Sequence, residues 1–336
     1  MESIENLKII RTFYEDYYSS IDFKEWQNKF SNKIYSSLNS GGKEVDMVTK
    51  LCQAMSNQEH KGLHIKSEKI HGKKSYVEFA YTGKKTTREL ADMVIVSVVT
   101  LDQKIVLLKL AFIQNKKAEK NKIPSWSYKI DPEQLFLLKN FPTFIGTSGI
   151  FNNDLFKGKE IIFPNYSGTL GNYGLFTPNS DMIFLTARNV FCNQSASGTI
   201  TFGDIKKASS LNVHSADTVN SFHPYKYGHC IDFFRENRFI LLSGRYNLPF
   251  FNNYDYALDV HEIVRQLTYF NIGEPLNIFG HITDNYLYFY AKTLLQLFGY
   301  TINDNNLYRN RENNDIRNEN ETNVILNYLE LGERKD

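Results

Sequence analysis

The sequence predicts an α/β domain followed by a mixed α+β domain, and three observations carry that prediction. Two apolar runs, DMVIVSVV opening at Asp92 and a second ending in FIQNKK, are joined by the polar step Leu101-Asp102-Gln103-Lys104. They read as an antiparallel hairpin. Ahead of them, EVDMVTKLCQAM carries Val48, Leu51 and Met55 at helical spacing. Beyond about residue 150, short apolar runs bounded by turn residues give way to helical patterns.

A hairpin centred near residue 103 sets Asp92 opposite Gln114. Side chains alternate along a strand, so Gln114 and Lys116 share a face and Asn115 takes the other. A carboxylate, an amide oxygen and an ammonium then converge at one sheet end. A hard divalent cation such as Mg2+ or Mn2+ takes oxygen ligands and keeps several waters, so one carboxylate, one amide and a substrate phosphate suffice. Lys116 supplies the compact cation that phosphodiester hydrolysis needs beside the metal. The similar triplet Asp102-Gln103-Lys104 sits at the hairpin tip, roughly 33 Å along an extended strand from Asp92, and cannot share a metal with it.

The flanking elements follow in order. In the helix 44–55, Glu44 lies one turn before Val48 on the face toward the sheet; it is either a further ligand or a helix-start acid favoured by the dipole. SYVEFAY (75–81) reads as a first strand and TGKKTTRE as a polar connection. Glu89, three residues before Asp92, is the rival second carboxylate, but on a continuous strand it faces away. Asp131-Pro132 reads as an N-cap with proline at the first helical position, and Gln134 stands where a capping-box glutamine belongs. TFIGTSGIF (143–151) reads as a fourth strand.

With Asp92 on one strand and Gln114-Asn115-Lys116 on the next, the segment 40–150 resembles the PD-(D/E)xK nuclease superfamily, whose motif is an acid, then an acid or Gln, any residue and Lys. The resemblance implies a restriction-endonuclease-like mixed sheet core with flanking helices, in the order helix, three strands, helix, strand. It implies a metal-dependent nuclease in which Asp92, Gln114 and Glu44 hold Mg2+ or Mn2+ and Lys116 assists. DNA is the expected substrate ahead of RNA, in the setting of a bacterial restriction or antiphage system, with a partner protein gating activity. A homodimer would suit double-strand cutting. Three departures stand out: no proline precedes Asp92, Gln114 replaces the usual acid, and Leu138 stands where relatives with a glutamine like Gln134 carry a tyrosine. A nuclease-like fold that binds nucleic acid or a partner without cutting is the alternative.

Composition bounds these readings. With 336 residues, 42% hydrophobic and 14% aromatic, the chain is folded and long enough for two domains. The expected division is a helical N-terminal segment at 1–40, the nuclease-like domain at 41–150, and an α+β recognition or partner-binding domain at 151–336. A net charge of +2 requires a local basic patch for any nucleic acid. Lys66, Lys69, Lys73, Lys74, Lys84, Lys85 and Arg88, with Lys117, Lys120 and Lys122, are either that patch or a solvated face. Cys52, Cys192 and Cys230 form neither a disulfide framework nor a zinc pattern. The amphipathic start, with Leu7, Ile10, Phe13 and Tyr17 at helical spacing, resembles neither a signal peptide nor a membrane span, so a cytoplasmic location is expected.

In the second half, EIIFP, DMIFLTA, GTITFGD and RFILLSG read as strands. Val260, Ile263, Val264 and Leu267 form one helical stripe, and TDNYLYFYAKTLLQLFGY is a second helix. The Asn-rich segment 303–323 reads as a loop before a last helix, NVILNYLEL. GTLGNYG, with Gly168, Gly171 and Gly174, reads as a turn. His214, His223, His229 and Cys230 match no standard zinc spacing, and the aromatics of HPYKYGH and LPFFNNYDY read as core rather than base-stacking groups.

Overall fold

The computed structural model describes residues 12–13, 16–70, 75–119, 126–148, 156–163, 169–193, 198–205, 256–278, 280–282, 285–309 and 322–331. Helical residues at 12–13 and 16–19 precede helices α1 (Ile21–Asn39) and α2 (Glu44–Met55), which lead into an antiparallel pair, β1 (Gln58–His60) and β2 (Leu63–Ile70). Strands β3 (Tyr76–Tyr81) and β4 (Lys84–Glu89) pair next, followed by the long hairpin β5 (Met93–Leu101) and β6 (Lys104–Lys117). Asp102 and Gln103 both adopt positive φ, +49° and +68°, which is what a two-residue type I′ turn requires. Every residue of β5 is buried, the pattern of a strand covered on both faces.

After the hairpin come β7 (Ser127–Lys129), α3 (Pro132–Asn140), β8 (Phe144–Gly146) and β9 (Glu160–Ile161). Then follow β10 (Gly171–Phe176), β11 (Met182–Thr186), α4 (Ala187–Asn193), β12 (Thr199–Thr201) and β13 (Tyr256–Ala257). The last elements are α5 (Val260–Thr268), β14 (Glu274–Ile278), β15 (His281–Ile282), α6 (Asn285–Leu297), β16 (Tyr300–Asn303), β17 (Asn306–Arg309) and β18 (Thr322–Leu331).

These elements form a mixed α/β protein around a 12-stranded mixed sheet with the main order β1-β2-β18-β5-β6-β10-β11-β13. β18 runs parallel to β5, and β10 runs parallel to β6. The edge of β6 away from β5 is shared, with β10 along 112–117 and β14 along 107–110. Even-numbered β5 and β6 residues (Val94, Val96, Val98, Leu108, Leu110, Phe112) pack with α3, α6 and the smaller sheet β4-β3-β8-β9. Odd-numbered ones (Met93, Ile95, Ala111, Ile113) pack under α1, α2 and α5. Among the described residues no helix is long and apolar enough to cross a membrane.

The hairpin, the helix at 44–55 and the helices around Val260 and Tyr290 lie where the sequence places them. Other expectations change. The segment 75–81 is a strand, but β3 belongs to the smaller sheet, and so does β8 from the expected fourth strand. NVILNYLEL is not a helix. It forms β18, with Val324, Leu326 and Tyr328 on one face and Ile325, Leu329 and Leu331 toward the other, a period of two. The run GNYGLF is not a turn but the buried strand β10. The hairpin β16–β17 occupies the start of the expected Asn-rich loop. Strands from both sides of the boundary expected at residue 150 share the large sheet.

Glycine makes β10 fit. A Cβ at Gly171 would collide with the backbone carbonyl of Leu138 in α3, and one at Gly174 with the Asn115 side chain and the Met182 methyl. Gly171→Ala is expected to cost about 1–3 kcal/mol of stability by forcing backbone apart, measured as a lowered urea midpoint.

A buried polar stripe crosses the sheet where Asn327, Ser97 and Lys109 stand side by side. It separates two apolar clusters, one with Ile95 and Ala111, the other with Val99 and Leu107. Asn327 Nδ2 donates to the Leu267 carbonyl at 2.7 Å. Burial pushes the Lys109 ammonium down to about 7, against the charge of Glu274. Between that value and the ordinary lysine value of about 10.4, the unfolded chain keeps a proton the folded chain has lost. Stability of the wild type therefore rises with pH across this window and gains nothing further above it. Lys109→Met is expected to flatten that rise, read from urea midpoints at neutral and alkaline pH.

Candidate functional site

Asp92 stands just before β5, and its N–H donates to the Ile113 carbonyl at 3.1 Å, so the hairpin register continues one step and sets Asp92 opposite Gln114. Asp92 Oδ2 accepts from Gln114 Nε2 at 2.5 Å and from the Asn115 N–H at 2.7 Å. Two positions on, Lys116 Nζ donates to Glu44 Oε1 at 3.3 Å, and Glu44 Oε2 accepts the Lys117 N–H at 3.1 Å. Asn115 points to the other face, against Gly174. Asp92, Gln114, Lys116 and Glu44 are therefore brought to one strand end, as the sequence reading places them.

Glu44 is the first residue of α2, where an acid suits the positive end of the helix. From there its carboxylate reaches the last turn of the β6 ladder, so the dipole and the site use the same residue. Both of its oxygens are engaged by Lys116 and the Lys117 backbone. The rival Glu89 ends β4 in the smaller sheet, and its carbonyl accepts from Gln134 Nε2 at 2.8 Å. Asp131 caps α3 through the N–H groups of Glu133 and Gln134, as expected, but the Gln134 side chain leaves the cap for that carbonyl.

Burial raises the Asp92 carboxyl above its ordinary range, opposed by the Asn115 N–H and the Lys116 charge and reinforced by Glu44. Two oxygens remain unoccupied by hydrogen bonds among the described residues: Asp92 Oδ1 and the buried Gln114 Oε1. The unpartnered amide oxygen beside a carboxylate is a donor pair suited to a hard cation. Among the described residues, no three His, Cys, Asp or Glu side chains converge as a ligand group.

Tyr173 completes the surroundings. It lies opposite Gln114 on β10, is 0% exposed, and its hydroxyl has no hydrogen-bond partner among the described residues. Burial pushes that hydroxyl well above its ordinary range, and the charges of Asp131 and Asp92 push it further. Two glycines make the segment around Tyr173 read as a turn, which hides it in the sequence. The alternation of Tyr173 and Leu175 was the available signal.

The surrounding cations are mostly committed. Arg88 pairs with Asp131 at 3.3 Å and Glu133 at 2.6 Å, and Lys85 pairs with Glu78 at 2.8 Å. Lys84 is exposed, and Lys66 lies on the far side of β18. Lys73, Lys74, Lys120 and Lys122, the Lys69 side chain, Gly168, RFILLSG, and His214, His223, His229 and Cys230 lie outside the described residues. The triplet Asp102-Gln103-Lys104 sits at the hairpin tip.

Comparison with known proteins finds no matching family model, no matching curated protein and no matching solved structure.

Because the folded-state Asp92 carboxyl is raised, it opposes folding once the pH passes the ordinary carboxylate range, and the cost disappears in acid where both states hold the proton. Asp92→Asn keeps an acceptor for Asn115 and removes the charge. It is expected to stabilise the protein by about 0.5–2 kcal/mol at pH 7 and to have no such effect near pH 3, as measured by denaturation at the two pH values.

Proposed function

We propose that the Asp92 centre is the active site of a metal-dependent phosphodiesterase acting on nucleic acid, DNA in the first instance, with a restriction-endonuclease-like core. The observation that carries this reading is the convergence of Asp92, Gln114, Lys116 and Glu44 at one strand end, with two oxygens left unpartnered. Element order supports it as well. Between α2 and α3 the chain supplies four strands of the large sheet, β1, β2, β5 and β6, with β3, β4 and β7 in smaller sheets. β10 joins the large sheet after α3, which approximates the order helix, three strands, helix, strand. Those are different segments from the ones expected for the first and fourth strands.

Asp92 and Gln114 would hold Mg2+ or Mn2+, which when bound supplies positive charge to polarise the scissile phosphate and favours hydroxide at neutral pH. Gln114 Nε2 and the Asn115 N–H hold the Asp92 carboxylate in place. Lys116 presents its ammonium to the charge that develops on the phosphate oxygens. Glu44 holds Lys116 by its ion pair, and it joins the ligands only by releasing that lysine. A nuclease-like protein that binds nucleic acid without cutting is the second reading, favoured by the neutral Gln114 together with this engagement of both Glu44 oxygens. A role in restriction or antiphage defence, with a gating partner or a second copy of the chain, belongs to the same proposal.

Purified protein with Mg2+ or Mn2+ is expected to cleave plasmid DNA, and Asp92→Ala and Lys116→Ala are each expected to lower the rate by about 100-fold or more. Cleavage that survives both substitutions would remove the assignment. A protein that is stabilised against heat by Mn2+ in an Asp92-dependent way, yet cuts neither DNA nor RNA, would favour the second reading.

A further inference from the structure

We propose that a cavity at the hairpin-tip end of the sheet is a nucleotide-binding site separate from the Asp92 centre. The cavity has a volume of about 470 Å³ and lies between β2, β18 and the β16–β17 hairpin, with Gln103 of the β5–β6 turn in its wall. Ligand sites of this kind commonly span about 300–1,000 Å³. Its walls include Tyr300, Tyr308 and Tyr328 together with Lys66, Arg309 and Glu330. The fold assembles it deliberately around the turn: the Leu307 N–H donates to the Gln103 carbonyl and the Ile105 N–H to the Asn305 carbonyl, both at 2.9 Å.

The aromatic walls are rigid. Tyr328 OH and Thr100 Oγ1 are hydrogen-bonded at 3.2 Å, the Tyr328 ring lies 5.5 Å from Tyr300, and His64 stacks on it at 6.1 Å with planes 20° apart. Tyr300 and Tyr328 are buried, whereas Tyr308 is 43% exposed at the rim. The exposed Tyr308 ring, backed by this packed aromatic wall, suits a planar heteroaromatic ligand, because every base offers a face for stacking.

The charges suit phosphate. Lys66 and Arg309 line the cavity and have no ion-pair partner among the described residues, while Lys61, Lys85, Arg88 and Arg265 are all paired. Arg309 offers the planar fork that takes phosphate oxygens in pairs. Of the two carboxylates in the wall, Glu59 is paired with His64 at 3.2 Å and Glu330 is hydrogen-bonded to Tyr328, so both are engaged within the wall and leave the cations to the ligand. A purely apolar ligand would strand Lys66 and Arg309, and a bare anion would leave the exposed Tyr308 face unused.

The cavity is remote from the proposed hydrolytic centre. Glu330 pairs with Thr100, eight positions along β5 from Asp92, which is roughly 26 Å of strand. The shared chemistry is a base joined to a phosphate, and its source is either a free nucleotide or the terminal nucleotide of a strand.

The test is equilibrium binding to the full chain of the four ribonucleoside monophosphates, adenosine, inorganic phosphate and a 5′-phosphorylated oligonucleotide. Tyr308→Ala and Arg309→Gln are the variants, since both side chains are exposed, with thermal denaturation of each confirming that it is folded, and Asp92→Ala is the control. At least one monophosphate, or the oligonucleotide alone if the source is a strand, is expected to bind about tenfold more tightly than adenosine or phosphate. Both variants are expected to weaken it by about tenfold or more, and Asp92→Ala, assayed without divalent metal so that the Asp92 centre is not engaged, to leave it unchanged. No saturable binding by any of these probes, binding indifferent to Tyr308 and Arg309, or binding lost with Asp92→Ala would overturn the proposal.

Discussion

The constraint on which the rest of the molecule depends is the register of the β5–β6 hairpin. A type I′ turn of two residues sets Leu101 opposite Lys104. An irregularity between Val99 and Thr100 then shifts the pairing by one residue, so that Asp92 falls opposite Gln114. A further slip of one residue would exchange the two faces of the sheet. It would turn Val94, Val96 and Val98 away from α6, and would carry Gln114 and Lys116 to the side now held by Asn115. Both apolar layers, the polar stripe through Lys109 and the Asp92 centre are set by this one pairing. The turn fits it without a glycine, with Asp102 and Gln103 both in the left-handed region. Its backbone is tied outward as well, since the Asp102 N–H donates to the Leu331 carbonyl and the Gln103 carbonyl accepts from Leu307.

What was legible in the sequence follows from how local each signal was. The hairpin and the helix that delivers Glu44 rest on patterns a few residues long and lie as read. Asp92, by contrast, meets Gln114 only because an irregularity between Val99 and Thr100, which no local pattern announces, shifts the pairing set by the turn. The sheet partners of that hairpin come from far along the chain. β18 lies between β2 and β5, which nothing within 93–101 could announce, and its sequence NVILNYLEL is apolar enough to satisfy either period. Gly171 and Gly174 suggested a turn, whereas the reason for them is the close approach of Leu138 and Asn115, contacts with no local trace. Tyr173 was lost with them.

The Asp92 centre and the interior beneath it show the same tension between solvation and function. Asp92 is held by two donors yet raised by burial, Tyr173 carries a buried hydroxyl without a partner among the described residues, and Lys109 is driven toward neutrality. Groups of this kind cost stability, and they persist where a packed scaffold on both faces supports them. The apolar layers around β5 and β6 are that scaffold.

The placement of β18 has a consequence for how the protein comes to exist. Its partners are at 63–70 and 93–101, more than two hundred residues earlier in the chain. While the ribosome is still producing the intervening sequence, β2 and β5 have emerged with the strand that should lie between them missing, and two apolar ladder edges stand open. Contacts of such long sequence separation form late and slowly, and open edges invite pairing with other nascent chains. Synthesis through residue 331 is therefore the step that closes the sheet, so its centre assembles as a whole once β18 has been made rather than segment by segment before it.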